Sequence, residues 1–291
     1  MRWIQAFNIG SAKLDKYSAI LDWLLSPKYF NFSKSNDDKL ILYTNQKSIE
    51  EVGKLWDIIK SEYDEIYLDV PEKSEIFSSP KFYAAEQELN RKPFEKFIII
   101  DLDLYIFKNL NLTNSIKAAF YEKEDYAKFY YKALLNNYEK FLGAPEWFNW
   151  DTDPFNCSIL YISTKDLWKK YLTLYNQIDV KKIPTTSNQI AIIKEQLSLG
   201  GLLEYLNIKP KEYKQDKLVF HKGEHKKTLA PKLMIQIQRY LLGKINKKEL
   251  ELFDEICPEI EKKYDGKHLM HLFLAPYEEH GLLSIVEDKE N

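Results

Sequence analysis

The chain has 291 residues, with 42 Lys or Arg against 44 Asp or Glu and a formal net charge of -2. That length holds one large domain with an appendage, or two small ones. The near-neutral balance argues against a dedicated nucleic-acid binder, which carries a basic excess. With 45% apolar and 30% charged residues, a wholly disordered chain is excluded.

Arginine occurs only at Arg2, Arg91 and Arg239, so contacts to phosphate fall to lysines, backbone amides or a metal ion. Cys157 and Cys257 are isolated and offer neither a zinc ribbon nor a disulfide framework. Free buried thiols of a reducing compartment are the expectation, with a single bridge between the two as the alternative. The start, Met1-Arg2-Trp3-Ile4-Gln5, is broken by polar residues too early for a signal peptide. No apolar run approaches the roughly 20 residues that span a bilayer. The expectation is a cytoplasmic protein without a transmembrane segment.

Along the chain, Trp3 to Phe7 reads as a strand and Leu14 to Leu25 as a helix. Lys39 to Thr44 is a second strand. Ile49 to Ser61 puts Val52, Leu55, Trp56 and Ile59 on one helical face. Glu65 to Val70 is a third strand, residues 79 to 90 a helix, and Phe97 to Ile100 a fully buried strand. This alternation predicts βαβ units and an α/β fold with a mostly parallel sheet flanked by helices. Lys117 to Leu142, rich in Tyr and Lys, reads as helices or a long excursion. Ser158 to Ser163 is a further strand and Asp166 to Ile178 a helix. Ser187 to Leu199 is a helix with Ser187 as N-cap and Gly200-Gly201 as its stop. From Leu229 the pattern is helical, so the expected division is 1–228 for the α/β domain and 229–291 for a helical C-terminal appendage.

The most informative segment is Phe97-Ile98-Ile99-Ile100-Asp101-Leu102-Asp103. Two carboxylates follow a buried strand, at the sheet end where ligands of open α/β sheets bind. If the strand continues, Asp101 and Asp103 face one way and Leu102 faces the core. Same-side carboxylates repel unless a cation relieves them. Hard oxygen ligands there suit Mn2+ or Mg2+, completed by substrate phosphates. Strand-capping aspartates facing solvent are an equally open reading of the triplet alone.

This triplet resembles the DxD region of GT-A glycosyltransferases, and further segments resemble the retaining, family-8-like members in the same order. Ser79-Pro80-Lys81-Phe82-Tyr83-Ala84 is similar to the helix carrying a basic donor contact, which maps to Lys81. Pro154-Phe155-Asn156-Cys157-Ser158 is similar to a strand entry whose asparagine contacts the donor sugar, which maps to Asn156; Ser158 stands where glycine is usual. Ser187-Asn188-Gln189 is similar to the acidic-Gln pair near the anomeric carbon, with Gln189 matching and Asn188 replacing aspartate. Val219-Phe220-His221-Lys222-Gly223-Glu224-His225-Lys226-Lys227 is similar to the H-x-x-G-x-x-K motif, with the glycine displaced by one.

The resemblance implies a GT-A fold (nucleotide-diphospho-sugar transferase, Rossmann-like) and a metal-dependent transferase. It would move a sugar from a nucleotide-sugar donor, a UDP-sugar being favoured, to a carbohydrate or other hydroxyl acceptor with retention. Asp101, Asp103 and His221 would hold the metal through the Asp101-Leu102-Asp103 segment. Lys227, or Lys226 in a shifted register, would meet the diphosphate. Ala6, Phe7 and Asn8 would hold the base by ring stacking and amide contacts, and Asn156 and Asn188 would meet the sugar, with Gln189 catalytic. Asp151 and Asp153 are the candidate bases if the enzyme inverts. Trp147 or Trp150 is open as an acceptor platform or as a core anchor. The alternatives are a haloacid-dehalogenase-like phosphohydrolase using Asp101 and Asp103, and a non-catalytic sugar-binding protein on the same fold. The lysine-rich stretch 244–248 leaves peripheral contact with an anionic membrane open, although acidic residues follow it at once.

Overall fold

A computed structural model of the chain describes residues 1–9, 34–73, 78–93, 95–106, 116–121, 139–181, 192–212 and 219–221, with single or paired positions between 19 and 31 and at 76 and 135. The chain divides into two compact units. One comprises Met1–Ala6, Val70–Asp101 and Asn111–Lys214, the other Phe7–Asp69, Leu102–Leu110 and Gln215–Asn291. The expected boundary at residue 228 and the helices from Leu229 onward lie outside the described residues.

In the first unit five strands lie side by side: β1 (Arg2–Ala6), β4 (Phe97–Ile100), β7 (Phe155–Ile162), β6 (Ile116–Tyr121) and β8 (Lys211–Glu212). The pairs β1/β4 and β6/β8 are parallel, while β7 runs against both of its neighbours. All four residues of β4 and all eight of β7 are buried, which is why they read as unbroken apolar runs rather than alternating ones. Residues 116–121 are a strand paired with β7, where the sequence suggested helices or a long excursion from Lys117. β7 also begins earlier than Ser158 and so takes in Asn156.

Helix α3 (Ser79–Arg91) opens with Pro80 in its first turn and buries Phe82, Ala84, Ala85 and Leu89. A bidentate ion pair ties it to β1: Arg2 Nε lies 2.8 Å from Glu88 Oε2 and Arg2 Nη2 lies 3.0 Å from Glu88 Oε1. Helix α4 (Lys165–Gln177) is capped by Thr164, whose side chain accepts from the Leu167 N–H. Phe82 of α3 stacks on Tyr175 of α4 at 3.9 Å, and Trp168 of α4 stacks on Phe97 of β4 at 4.9 Å. Between these helices lies a cleft of about 250 Å³ lined by Ser79, Phe82, Tyr83, Leu172, Tyr175 and Lys194.

Next comes a π-helical turn, Ile192–Leu197, that runs into α5 (Ser198–Tyr205). The helix therefore continues through Gly200 and Gly201 instead of stopping there, and neither glycine takes a positive φ. Their role is close approach. A Cβ at Gly201 would come within 2.7 Å of Phe148 Cζ, and one at Gly200 would press on the Asp153 carbonyl and lie 3.1 Å from Thr152 Oγ1. Gly201→Ala should therefore lose about 1–3 kcal/mol by overpacking, although alanine is the better helix former. Urea unfolding of the variant measures this; a gain in stability would show that Phe148 has room to move.

In the second unit β2 (Lys39–Tyr43) and β3 (Glu65–Tyr67) pair in parallel, extended by a bridge between Asn45 and Asp69. Val52, Leu55 and Ile59 are buried as their spacing predicts. The expected single helix is broken into α1 (Gln46–Val52), a 3-10 turn at Gly53–Leu55 and α2 (Trp56–Lys60), because Gly53 takes φ 53° after Val52. Asn45 caps α1 by accepting from the Ser48 N–H at 2.9 Å. β5 (Leu104–Ile106) and β9 (Val219–His221) pair antiparallel. Most of the Leu14 to Leu25 helix lies outside the described residues. Among the described residues no helix is long and apolar enough to cross a membrane.

Candidate active site

Asp101 does not continue the strand as expected. It follows β4, and Leu102 and Asp103 form a turn. The same-side alternation therefore does not apply, and Leu102 is half-buried instead of facing the core. What fixes Asp101 is β7: the Asp101 N–H donates to the Ser158 carbonyl at 2.8 Å.

β7 is irregular at this point. Its register with β6 shifts between Ala118 and Phe120, so that Phe120 faces Asn156 while Ala118 faces Leu160. Bulges of this kind re-aim the groups beside them. Asn156 Oδ1 accepts from the Ser158 N–H at 2.9 Å, and the Cys157 carbonyl accepts from Lys81 Nζ at 3.3 Å. The structure thus brings Lys81, Asp101 and Asn156 around one bulged strand entry.

Lys81 sits at the centre, with 8% of its side chain exposed. Its ammonium lies 3.1 and 3.4 Å from the two Asp101 oxygens and forms a second ion pair with Glu195, whose side chain is 5% exposed. An ammonium has three N–H donors, and Asp101, Glu195 and the Cys157 carbonyl supply three acceptors. In this arrangement its donors point into the protein, so Lys81 orients Asp101 and β7 rather than reaching a phosphate. Burial by itself pulls the Lys81 pKa down, but the Asp101 and Glu195 charges outweigh it and hold it above the ordinary lysine value. For Glu195 burial is the largest influence and raises the pKa, while Lys81 opposes it.

Glu195 was not singled out in the sequence. It lies on the π-helical turn, whose carbonyls are held by inserted side chains. Tyr171 Oη donates to the Glu195 carbonyl at 2.8 Å, and Ser198 Oγ donates to the Lys194 carbonyl at 2.5 Å. Such wide turns often mark functional positions. The only advance signal is a single acid, flanked by Lys194 and Gln196, in a helix with apolar spacing, and its partner is remote in sequence.

Cys157 is a free, buried thiol. Burial first, and the Glu195 charge second, push its pKa up, so it should be inert toward thiol reagents. In a Cys257→Ser background, the native protein should react with Ellman's reagent only as fast as it opens. Immediate stoichiometric reaction would contradict the burial.

The other expected site residues separate clearly. Phe7 is 5% exposed and its ring packs on Trp23 at 4.2 Å, which corrects the expectation that it stacks on a base. The Phe7 N–H donates to the Tyr43 carbonyl at 2.8 Å and the Ile9 N–H to Ser48 Oγ at 3.0 Å. Asn8 is buried and Ala6 half-buried. Asp153 is half-buried beside Gly200. Trp150 packs edge-on against Phe148 at 4.6 Å, as a loop anchor would, whereas Trp147 is 38% exposed. Asn188, Gln189, Lys226 and Lys227 lie outside the described residues.

For Asp103 and His221, the other two expected metal ligands, backbone register is informative. β5 and β9 pair with Leu104 opposite His221, one residue beyond Asp103. Opposed Cα atoms in an antiparallel ladder are about 4.5–5.5 Å apart, so two segments far apart in sequence meet here. The His221 side chain lies outside the described residues, and among those described no three His, Cys, Asp or Glu side chains cluster to hold a metal ion. On donor chemistry, two carboxylates and an imidazole fit Mn2+ or Mg2+. Asp101 keeps lone pairs beyond those turned to Lys81.

No family model and no curated protein matches this chain. Several solved structures do. The galactosyltransferase LgtC, in complex with donor and acceptor sugar analogs, is 12% identical over 71% of this chain and 70% of its own, with a TM-score of 0.34. The apo bifunctional glycosyltransferase WbbM is 12% identical over 94% of this chain and 51% of its own, with a TM-score of 0.42. The glycosyltransferase GlyE of Streptococcus pneumoniae TIGR4 is 13% identical over 99% of this chain and 62% of its own, with a TM-score of 0.38.

Proposed function

We propose that this chain is a metal-dependent glycosyltransferase of GT-A type that moves a sugar from a nucleotide-sugar donor to an acceptor hydroxyl. The observation that carries the reading is the β5/β9 register, which sets His221 opposite Leu104 and beside the Asp103 of the D-x-D triplet. The pairing brings the backbones of two segments remote in sequence together, as a metal site drawing on both would need.

In this reading Asp101, Asp103 and His221 hold Mn2+ or Mg2+. The ion, when bound, would neutralise the departing diphosphate as a Lewis acid. Lys81 and Glu195 keep the Asp101 carboxylate in a fixed orientation, and the β7 bulge fixes Asn156 at the sugar. Lys227 meets the diphosphate, and Asn188 and Gln189 border the anomeric carbon on the side of retention. A UDP-sugar is the favoured donor, and the base contact falls to the backbone around Ala6 and Asn8. Three described strands precede β4, an order that counts against the phosphohydrolase alternative.

Incubation with a panel of UDP- and GDP-sugars and Mn2+ tests this. Slow transfer to water should release nucleoside diphosphate from one donor, and EDTA should stop it. Release of inorganic phosphate from sugar phosphates, with no turnover of any nucleotide sugar, would overturn it.

A further inference from the structure

An exposed aromatic pair stands apart from the Lys81 cluster on the same unit. Trp147, in the turn before β7, stacks on Tyr205, the last residue of α5, with ring centroids 4.1 Å apart and planes 24° from parallel. Trp147 is 38% exposed and Tyr205 57%. The pair is rigidly seated. Phe148, next to Trp147, is buried in the notch left by Gly201, and Asn149 Nδ2 donates to Glu204 Oε1 at 2.9 Å across the same two segments. Two large rings held in solvent by their own scaffold are a surface that water solvates poorly.

From this surface we infer a docking site for the pyranose rings of a neutral carbohydrate, which under the glycosyltransferase reading above is the acceptor. A pyranose presents an apolar C–H face and a rim of hydroxyls. The rings offer the matching apolar face, and at the rim the Asn149 amide donates and the Glu204 carboxylate accepts hydrogen bonds. Charge selects the class. Glu146, Asp151 and Glu204 are all exposed around the pair, so phosphate-bearing ligands, nucleic acid and anionic membranes are repelled, and an uncharged glycan is not.

The test is calorimetric titration, without nucleotide, of neutral oligosaccharides of four to six units: malto-, cello-, xylo-, galacto- and chito-series. At least one should bind. Tyr205→Ala and Trp147→Ala should each weaken it about fivefold to tenfold, whereas Tyr205→Phe should retain it. Tyr205 is exposed enough for its variants to keep the wild-type melting temperature. Absence of binding across the panel, binding indifferent to Tyr205→Ala, or a Tyr205-dependent self-association in sedimentation would overturn the inference. UDP binding with Mn2+ is read in parallel. A protein that binds oligosaccharide through these rings but no nucleotide keeps the platform and loses the transferase reading; the reverse result removes the platform alone.

Discussion

Lys81→Met should destabilise the protein by about 3–5 kcal/mol, the loss expected when one member of a buried ion-pair cluster is removed and its partners are left charged. The partners are Asp101 and Glu195, and the Glu195 side chain is only 5% exposed. The methionine fills the volume but satisfies neither carboxylate nor the Cys157 carbonyl. Adding Glu195→Gln to the variant should restore part of the loss, because one buried charge is then gone. The pH dependence has a definite sign. With Lys81 removed, burial first and the Asp101 charge second raise the folded pKa of Glu195 above its unfolded value, with no lysine to oppose them. The folded state then binds more protons than the unfolded state, so stability falls as pH rises above about 4 and returns as pH is lowered. Urea unfolding of the wild type, the single and the double variant between pH 4 and 8 measures all of this. A loss below about 1 kcal/mol at pH 7 would show that water, not the two carboxylates, surrounds the ammonium.

The second large effect is on ligand binding. Asp103→Ala and His221→Ala should each weaken UDP binding in Mn2+ by about a hundredfold, near 2.7 kcal/mol, and should erase the difference between Mn2+ and EDTA. Asp103→Ala should cost far less stability than Lys81→Met, since Asp103 is a half-buried turn residue beyond the end of β4. The contrast with Lys81→Met separates metal ligands from the residue that orients them. If Asp103→Ala instead unfolds the protein while UDP binding in the wild type ignores metal, Asp103 is structural.

How much of this was legible depends on how local each cause is. The strand Phe97–Ile100 was plain because four consecutive apolar residues have nowhere to go but a buried strand. α3 announced itself through Ser79-Pro80 and its apolar spacing. The strand Ile116–Tyr121 was not legible, because Lys-Ala-Ala-Phe fits a helix equally well and only pairing with β7 decides it. Gly200-Gly201 read as a helix stop, but tertiary contact with Phe148 and Asp153 gave the glycines a different use. Asp101 and Asp103 were identified from sequence, yet their shared face was assumed from a strand that ends one residue before them. Glu195 was invisible because its meaning comes from Lys81, far away in the chain. Phe7 is the opposite case, where a residue assigned to a ligand is claimed by Trp23 and the core.

The central claim is that nucleotide and divalent metal bind together. Calorimetric titration of UDP into the wild-type protein, once with Mn2+ and once with EDTA, tests it most directly. The account predicts saturable binding at least about tenfold tighter with Mn2+, and Mn2+ binding that is weak without nucleotide. Equal UDP affinity in Mn2+ and in EDTA would contradict it.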